Sequence, residues 1–357
     1  MAYTTIDDPS AFFQTVLYTG NATDNTAITF NGNTDMQPDW VWNKNRASSG
    51  YEHHMVDSVR GVNKLLRPSA NIAEFESVPA FRSFDSNGFT LGSNSYMNVD
   101  SDTQVSWCWK AGTSFTNDAS STSVGTIDSA GSVSTAAGFS IITWTGSGSA
   151  ATIAHGLGAK LGMYIVKNRT DSGEDWVTYH GANTSAPETD YIMLNQANAT
   201  GDSSGVWNDT APTSSVFSVG TANSTNGSSK NMIAYCFSEV KGYSKFGSYI
   251  GNGNVNGSYI HLGFAPAFVL IKNINAGEAW QMFDNKRLSF NQTNGRYSLN
   301  PNSNAAEYTN APLIDFLSNG FKLRSDTNSL NVAQNYIYMA FAEQPFVTST
   351  GVPATAR

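Results

Sequence analysis

Apolar positions fall in runs of about four to eight residues, often alternating with polar ones, with Gly, Asn, Ser and Thr in the intervals. This is the period-two pattern of half-buried strands bounded by turns. Val105-Ser106-Trp107-Cys108-Trp109 places its large side chains on one face and its small ones on the other. Ile233-Ala234-Tyr235-Cys236-Phe237 and Ile337-Tyr338-Met339-Ala340-Phe341 repeat that design further along. Other landmarks recur in the same order. An opener with Gly stands at Tyr18-Thr19-Gly20-Asn21, Trp144-Thr145-Gly146-Ser147 and Tyr249-Ile250-Gly251-Asn252. A strand ending in Lys-Asn follows at Trp40 to Asn45, Met163 to Asn168 and Phe268 to Asn273. A phenylalanine hairpin, Phe84 to Leu91, is matched by Phe316 to Leu323, and the middle copy keeps only Val216-Phe217-Ser218-Val219. The separations agree: Lys44 to Cys108 is 64 residues, Lys167 to Cys236 is 69 and Lys272 to Ala340 is 68.

Order and spacing together predict an all-β chain of three tandem homologous β-sandwich repeats, jelly-roll-like and about 100 residues each. The expected boundaries are 1–112 for the first, 138–246 for the second and 247–346 for the third. Between the first two lies a Ser/Gly/Thr-rich linker, 113–137, and 347–357 forms a C-terminal tail that trails or docks on a neighbour. At this length each repeat is expected to bury a core of its own. The closing strand should be central in its sheet, its large face in that core and its small face closely overlaid. Asn87-Gly88 and Asn319-Gly320 predict tight hairpins, because both residue types accept positive φ. The second and third repeats, joined without a spacer, are expected to pack together.

Composition narrows the function. Of 357 residues 40% are hydrophobic and only 13% charged, the net charge is −8, and the pI is about 5.1. Basic residues are too few and scattered to neutralise a phosphate backbone, so nucleic acid is not an expected partner. An acidic surface also disfavours anionic membranes, and no apolar run approaches the roughly 20 residues that span a bilayer. The N-terminus has neither the basic nor the apolar region of a signal peptide, which predicts synthesis in a cytoplasm. Cys108 and Cys236 stand in equivalent places of two repeats and are expected to be buried free thiols.

Chemistry-bearing motifs are sparse, and no catalytic residue, metal site or cofactor is expected. Adjacent His53 and His54 should diverge in a strand, and no pair has zinc-ligand spacing. Gly242 to Gly247 is one residue too long for a nucleophile elbow. Asn252 to Gly257 mimics a calcium loop but lacks its carboxylates. Glu74 and Glu76 share a strand face without counterparts in the other copies, while Glu239 matches Glu343. Acceptor-like triplets at Asn198, Asn223 and Asn291 are read as coincidence in so Asn-rich a chain. One column deserves comparison: Asp57, His180 and Asp284, the last two closing the runs that begin at Trp176 and Trp280. An aromatic platform beside a polar group binds sugars by stacking and hydrogen bonding, which makes Trp176, His180, Trp280 and Asp284 the candidate binding residues. The alternative is a strand ending in a turn, with Asp or His bonding local backbone.

The strings Gly138-Phe139-Ser140-Ile141, Ala154-His155-Gly156-Leu157-Gly158, Tyr164-Ile165-Val166-Lys167-Asn168, Gly242 to Tyr249 and Tyr338 to Phe346 resemble those of marine bacteriophage virion proteins with a repeated β-rich domain. The resemblance spans nearly the whole chain. It implies a structural protein of the virion, a tail fibre or appendage engaged in host attachment, and carries over no catalytic or ligand-binding residues. A head decoration protein and a carbohydrate-binding module are the alternatives. The implied partners are other virion proteins, further copies of the chain (a trimer favoured) and a host surface glycan.

Overall fold

The computed structural model describes residues 2–287, 297–309 and 313–354. The first lobe contains β1 (Phe13–Thr19), β2 (Thr26–Thr29), β3 (Trp40–Asn45), β4 (His54–Asp57), the short β5 (Lys64–Leu65) and β6 (Phe75–Glu76), β7 (Phe81–Asp85), β8 (Gly88–Leu91) and β9 (Thr103–Trp109). The second contains β10 (Thr113–Asn117), β11 (Ser129–Ser134), β12 (Phe139–Thr145), β13 (Ala151–Ala154), β14 (Leu161–Asn168), β15 (Val177–His180), β16 (Asp190–Met193), β17 (Gly201–Asp202), β18 (Val216–Val219) and β19 (Asn231–Ser238). The third contains β20 (Ser244–Ile250), β21 (Tyr259–His261), β22 (Phe264–Asn273), β23 (Gln281–Asp284), β24 (Ile314–Leu317), β25 (Gly320–Leu323) and β26 (Asn335–Pro345).

The fold is all-β, and one strand order recurs three times: β1-β9-β3-β4, β12-β19-β14-β15 within a larger sheet, and β20-β26-β22-β23. A smaller sheet faces each: β2-β8-β7, β13-β18 and β21-β25-β24. The registers agree, Val41 standing opposite Cys108, Tyr164 opposite Cys236 and Val269 opposite Ala340. The opener glycines are explained by close approach. A Cβ on Gly20, Gly146 or Gly251 would lie 2.0–2.2 Å from the carbonyl oxygen of Val99, Gly227 or Val332. The structure adds an anchor that the landmarks missed. Buried Asn98, Asn226 and Asn331 accept from the backbone N–H after each of those glycines, at Asn21, Ser147 and Asn252.

The closing strands are central, and in the first two lobes their two faces serve different cores, whereas in the third Ala340 belongs to the same core as Met339. Cys108 packs inside the first lobe with Val41, Val56, Phe81 and Phe89, and Cys236 inside the second with Tyr164, Phe217 and Val219. Both are free and buried. The large faces point out of their lobes and meet in one shared core that joins Trp107 and Trp109, Ile233, Tyr235 and Phe237, and Ile337, Met339 and Phe341. Trp40 stacks on Tyr235 at 4.3 Å, Trp107 meets Phe268 at 5.9 Å, and Phe237 meets Phe341 at 5.9 Å. The expectation that each repeat buries its own large aromatic row is therefore corrected. A sheet between two layers has two apolar faces to cover, and here the bulkier one covers a neighbouring lobe.

Other expectations change too. The segment 113–137 is a hairpin, not a linker. β10 and β11 extend the second lobe's sheet beyond β12, Phe115 and Ile127 pack on its core, and Ile127 bridges Ile153 of β13. The phenylalanine hairpins are tight as expected, with Ser86-Asn87 and Ser318-Asn319 as two-residue loops, but neither Asn takes positive φ; Gly88 does, and both Gly88 and Gly320 lie in the strands. There a Cβ would strike the Ile28 or Ile260 carbonyl oxygen at about 2 Å. The tail docks on the chain's own start, with Ser349 N–H donating to Asp7 Oδ1 at 2.6 Å. Among the described residues no helix is long and apolar enough to cross a membrane.

The shared core predicts joint unfolding. Trp40→Ala should cost about 3–5 kcal/mol, and calorimetry should show one cooperative transition shifted to lower temperature. Separate transitions for the three lobes would contradict a common core.

Candidate functional site

The chemistry-bearing residues converge on the three seams between lobes. At the seam of lobes 1 and 2 the Tyr235 hydroxyl donates to Asp57 Oδ2 at 2.7 Å. At the seam of lobes 3 and 1 the Trp107 indole N–H donates to Asp284 Oδ2 at 2.9 Å. At the seam of lobes 2 and 3 His180 Nε2 donates to the Tyr338 carbonyl at 3.0 Å. Asp57, His180 and Asp284 end β4, β15 and β23, so the contacts run in one rotational sense. The same groups cap local turns. Asp57 accepts from Arg60 N–H, Asp284 from Lys286 and Arg287 N–H, and His180 Nδ1 from Ala182 N–H. The turn expected of this column is present.

The aromatic members stand four residues earlier, immediately ahead of the same strands. Trp176 and Trp280 are fully buried. Trp176 Nε1 donates to the carbonyls of Arg67 and Ala70 in lobe 1, and Trp280 Nε1 to that of Met193 in lobe 2. His53, the equivalent in lobe 1, meets the Asn300 carbonyl of lobe 3 at 3.1 Å. Trp176, His180, Trp280 and Asp284 thus do not form one cluster, and neither indole offers an exposed sugar platform. Their amphipathic character serves an interior seam: the ring packs and its N–H satisfies a foreign carbonyl.

A third set completes each seam. Glu74 N–H donates to the Arg169 carbonyl, Thr200 N–H to that of Ile274, and Glu307 N–H to that of Arg46, all at 2.9–3.0 Å. Two seams carry buried charge. Arg60 pairs with Asp57 at 2.6 Å and with Glu74 at 3.1 Å, and Glu74 also binds Arg169 at 2.8 Å. Arg287 pairs with Asp284 at 2.5 Å and with Glu307 at 2.8 Å, and Glu307 also binds Arg46 at 2.7 Å. Burial opposes ionisation of Glu74, yet bonds from Arg169 and Arg60 hold it below the usual carboxylate range. At the third seam the corresponding residues are neutral, and Thr200 Oγ1 donates to Asn183 Oδ1 at 2.8 Å.

The Lys-Asn landmark also has a physical account. Lys44, Lys167 and Lys272 are buried, and burial lowers each to about 8. Their ammonium groups end on backbone carbonyls: of Asn45 for Lys44, of Glu174 for Lys167, and of Asn273 and Ala197 for Lys272. Asn45, Asn168 and Asn273 each accept from the backbone N–H groups two and three residues on and turn the chain. His53 and His54 diverge, toward Trp42 and Asn300 for the first and toward Arg67 and Tyr96 for the second. Among the described residues no group of three His, Cys, Asp or Glu is placed to hold a metal. Ser244 is buried and bonds Ser238 and Val240, and the Asn252 to Gly257 segment is a chain of Asn-capped turns. Glu76 pairs at the surface with Lys64. Asn291 lies outside the described residues.

A cavity of about 190 Å³ opens at the seam of lobes 3 and 1, lined by Phe13, Gln14 and Thr15 of β1 and by Ala267, Asn285 and Lys286 of lobe 3, among others. Thr15 is buried, and among the described residues neither its Oγ1 nor Asn285 Oδ1 has a hydrogen-bond partner.

Two outcomes are expected of the seams. Arg60→Ala leaves buried Asp57 without its cation and Glu74 with Arg169 alone, and should cost about 3–5 kcal/mol in denaturant unfolding. Burial pushes His180 down to about 4 from an ordinary 6.5. Its stability contribution is full above pH 6.5 and falls as the pH drops toward 4, because the unfolded chain takes up the proton first. That fall amounts to about 3 kcal/mol for a shift of this size, and His180→Gln should flatten the curve measured between pH 7 and 4.

The comparisons with known proteins bear on the whole trilobed unit. A search of curated proteins finds no match. One family profile, described as a domain of unknown function (DUF7483), matches residues 8–345, a span that contains all three lobes and the hairpin between the first two. The chain therefore belongs to the DUF7483 family.

Proposed function

We propose that the protein is a structural, host-attaching component of a bacteriophage particle, seated in a tail fibre or related appendage. One observation carries the reading: the polarity of the trilobed body. The first and last described segments lie at one end. Tyr3 Oη donates to the Gly263 carbonyl, Thr4 Oγ1 to that of Lys241, and Ser349 binds Asp7. From there the openers β1, β12 and β20 run seven residues each, about 20 Å of strand, to the other end. The loops 20–25, 146–150 and 251–258 follow. They are built of Gly, Asn, Ser, Thr and Ala with few others, and their backbone is held by the buried Asn98, Asn226 and Asn331.

Such a body holds its support at one end and presents three rigid polar loops at the other. The threefold arrangement that a homotrimer would provide is supplied within one chain. The likeness to phage virion proteins supports the same role. A sugar-binding module built on Trp176 or Trp280 is disfavoured, because both rings are consumed by seams.

An electron-microscopy map of the particle should place the chain in an appendage in few copies, and the purified protein should compete with particle adsorption. A location in the head lattice at hundreds of copies would assign it to decoration instead.

A further inference from the structure

The second lobe shows what the free edge of this sheet accepts. There β11 adds to β12 antiparallel, with Ser132 opposite Ile141 and Ser134 opposite Phe139. In lobe 1 the residues equivalent to Phe139, Ile141 and Thr143 are Phe13, Thr15 and Leu17, since Phe13 faces Trp109 as Phe139 faces Phe237. β1 is the outermost strand of its sheet. Lys110 N–H bonds the Phe12 carbonyl and Gly20 N–H that of Asp102. By antiparallel alternation, Phe13, Thr15 and Leu17 then turn their N–H and C=O groups away from β9. The cavity lined by Phe13 and Thr15 lies along this edge, and Thr15 Oγ1 and Asn285 Oδ1 stand at it without partners among the described residues.

We propose that this seam is a docking groove for an extended peptide segment of a partner protein, which adds to β1 as β11 adds to β12. Strand addition satisfies the outward N–H and C=O groups of an edge, and the side chains then select the sequence. The occupant's chemistry follows from β11. Its residues Ser129-Ala130-Gly131-Ser132-Val133-Ser134 are small and uncharged, and at Gly131 a Cβ would lie 1.8 Å from the Ile141 carbonyl oxygen. A strand of this kind brings hydroxyl groups to Thr15 Oγ1 and Asn285 Oδ1. The proposal concerns β1 alone and does not depend on a role in a virion.

The test titrates the full chain with a fluorescein-labelled, end-capped peptide of sequence Ser129 to Ser134, followed by anisotropy and by amide hydrogen exchange. Saturable binding is expected, with added protection at Thr15 and Leu17. Leu17→Pro removes only an outward N–H and should weaken binding at least tenfold with the melting temperature nearly unchanged. Should that variant fold poorly, Thr15→Val with Asn285→Ala should still weaken binding several-fold. No saturation at millimolar peptide, or binding without protection at Thr15 and Leu17, would overturn the proposal. So would self-association of the chain that Leu17→Pro abolishes, since a second copy would then be the occupant.

Discussion

The architecture depends on a shared apolar junction. Each central strand has a small face and a large one, and the large face of all three is buried against the other lobes. Indole and phenyl rings of this size bury 150–250 Å² each, too much surface for a lobe to leave in water. Dissolving the junction would expose Trp40, Trp107, Trp109, Tyr235, Phe237 and Phe341 together. The lobes thus form one thermodynamic unit, which agrees with a family domain that spans residues 8–345.

Polar groups orient that junction. Apolar burial is nondirectional and would tolerate several ways of packing one lobe on the next. The ring N–H and hydroxyl contacts to neighbouring lobes, repeated in one rotational sense, specify which way. Two seams add Arg–carboxylate networks and the third replaces them with Thr200, Asn183 and Ile274. A buried ion pair is weak support for net stability but strongly penalises a mispaired state. The neutral seam joins lobes connected directly through residues 241–247. Each charged seam adjoins lobe 1, which reaches lobe 2 through the hairpin and lobe 3 only across space.

Much of the fold was legible in the amino-acid pattern. The alternation around Cys108, Cys236 and Ala340 marked three equivalent central strands, and the Lys-Asn and Gly landmarks fell on equivalent sheet positions. The destination of the large face was not legible, because alternation separates two faces without saying whether a lobe's own second sheet or a neighbour covers each. Segment 113–137 was misread for a related reason. Its Ser, Gly and Ala content suits a flexible spacer, yet small side chains also suit a strand laid closely against another, as Gly131 against Ile141 shows. At the candidate site the column of Asp57, His180 and Asp284 was found, and its local turn foreseen. Its reach across a seam was invisible, since partners such as Tyr235 and Trp107 lie more than 170 positions away.

The carriage of three lobes by one polypeptide has a further result. In an assembly of three identical chains any replacement appears three times, so a change favourable at one contact is imposed on the others. Here Ile274 stands where the other two lobes carry Arg46 and Arg169, and the Asn-turned loop 251–258 is longer than loop 146–150. Each exposed tip can therefore vary independently while the common centre is kept, which gives a single molecule three dissimilar loop tips on one shared core.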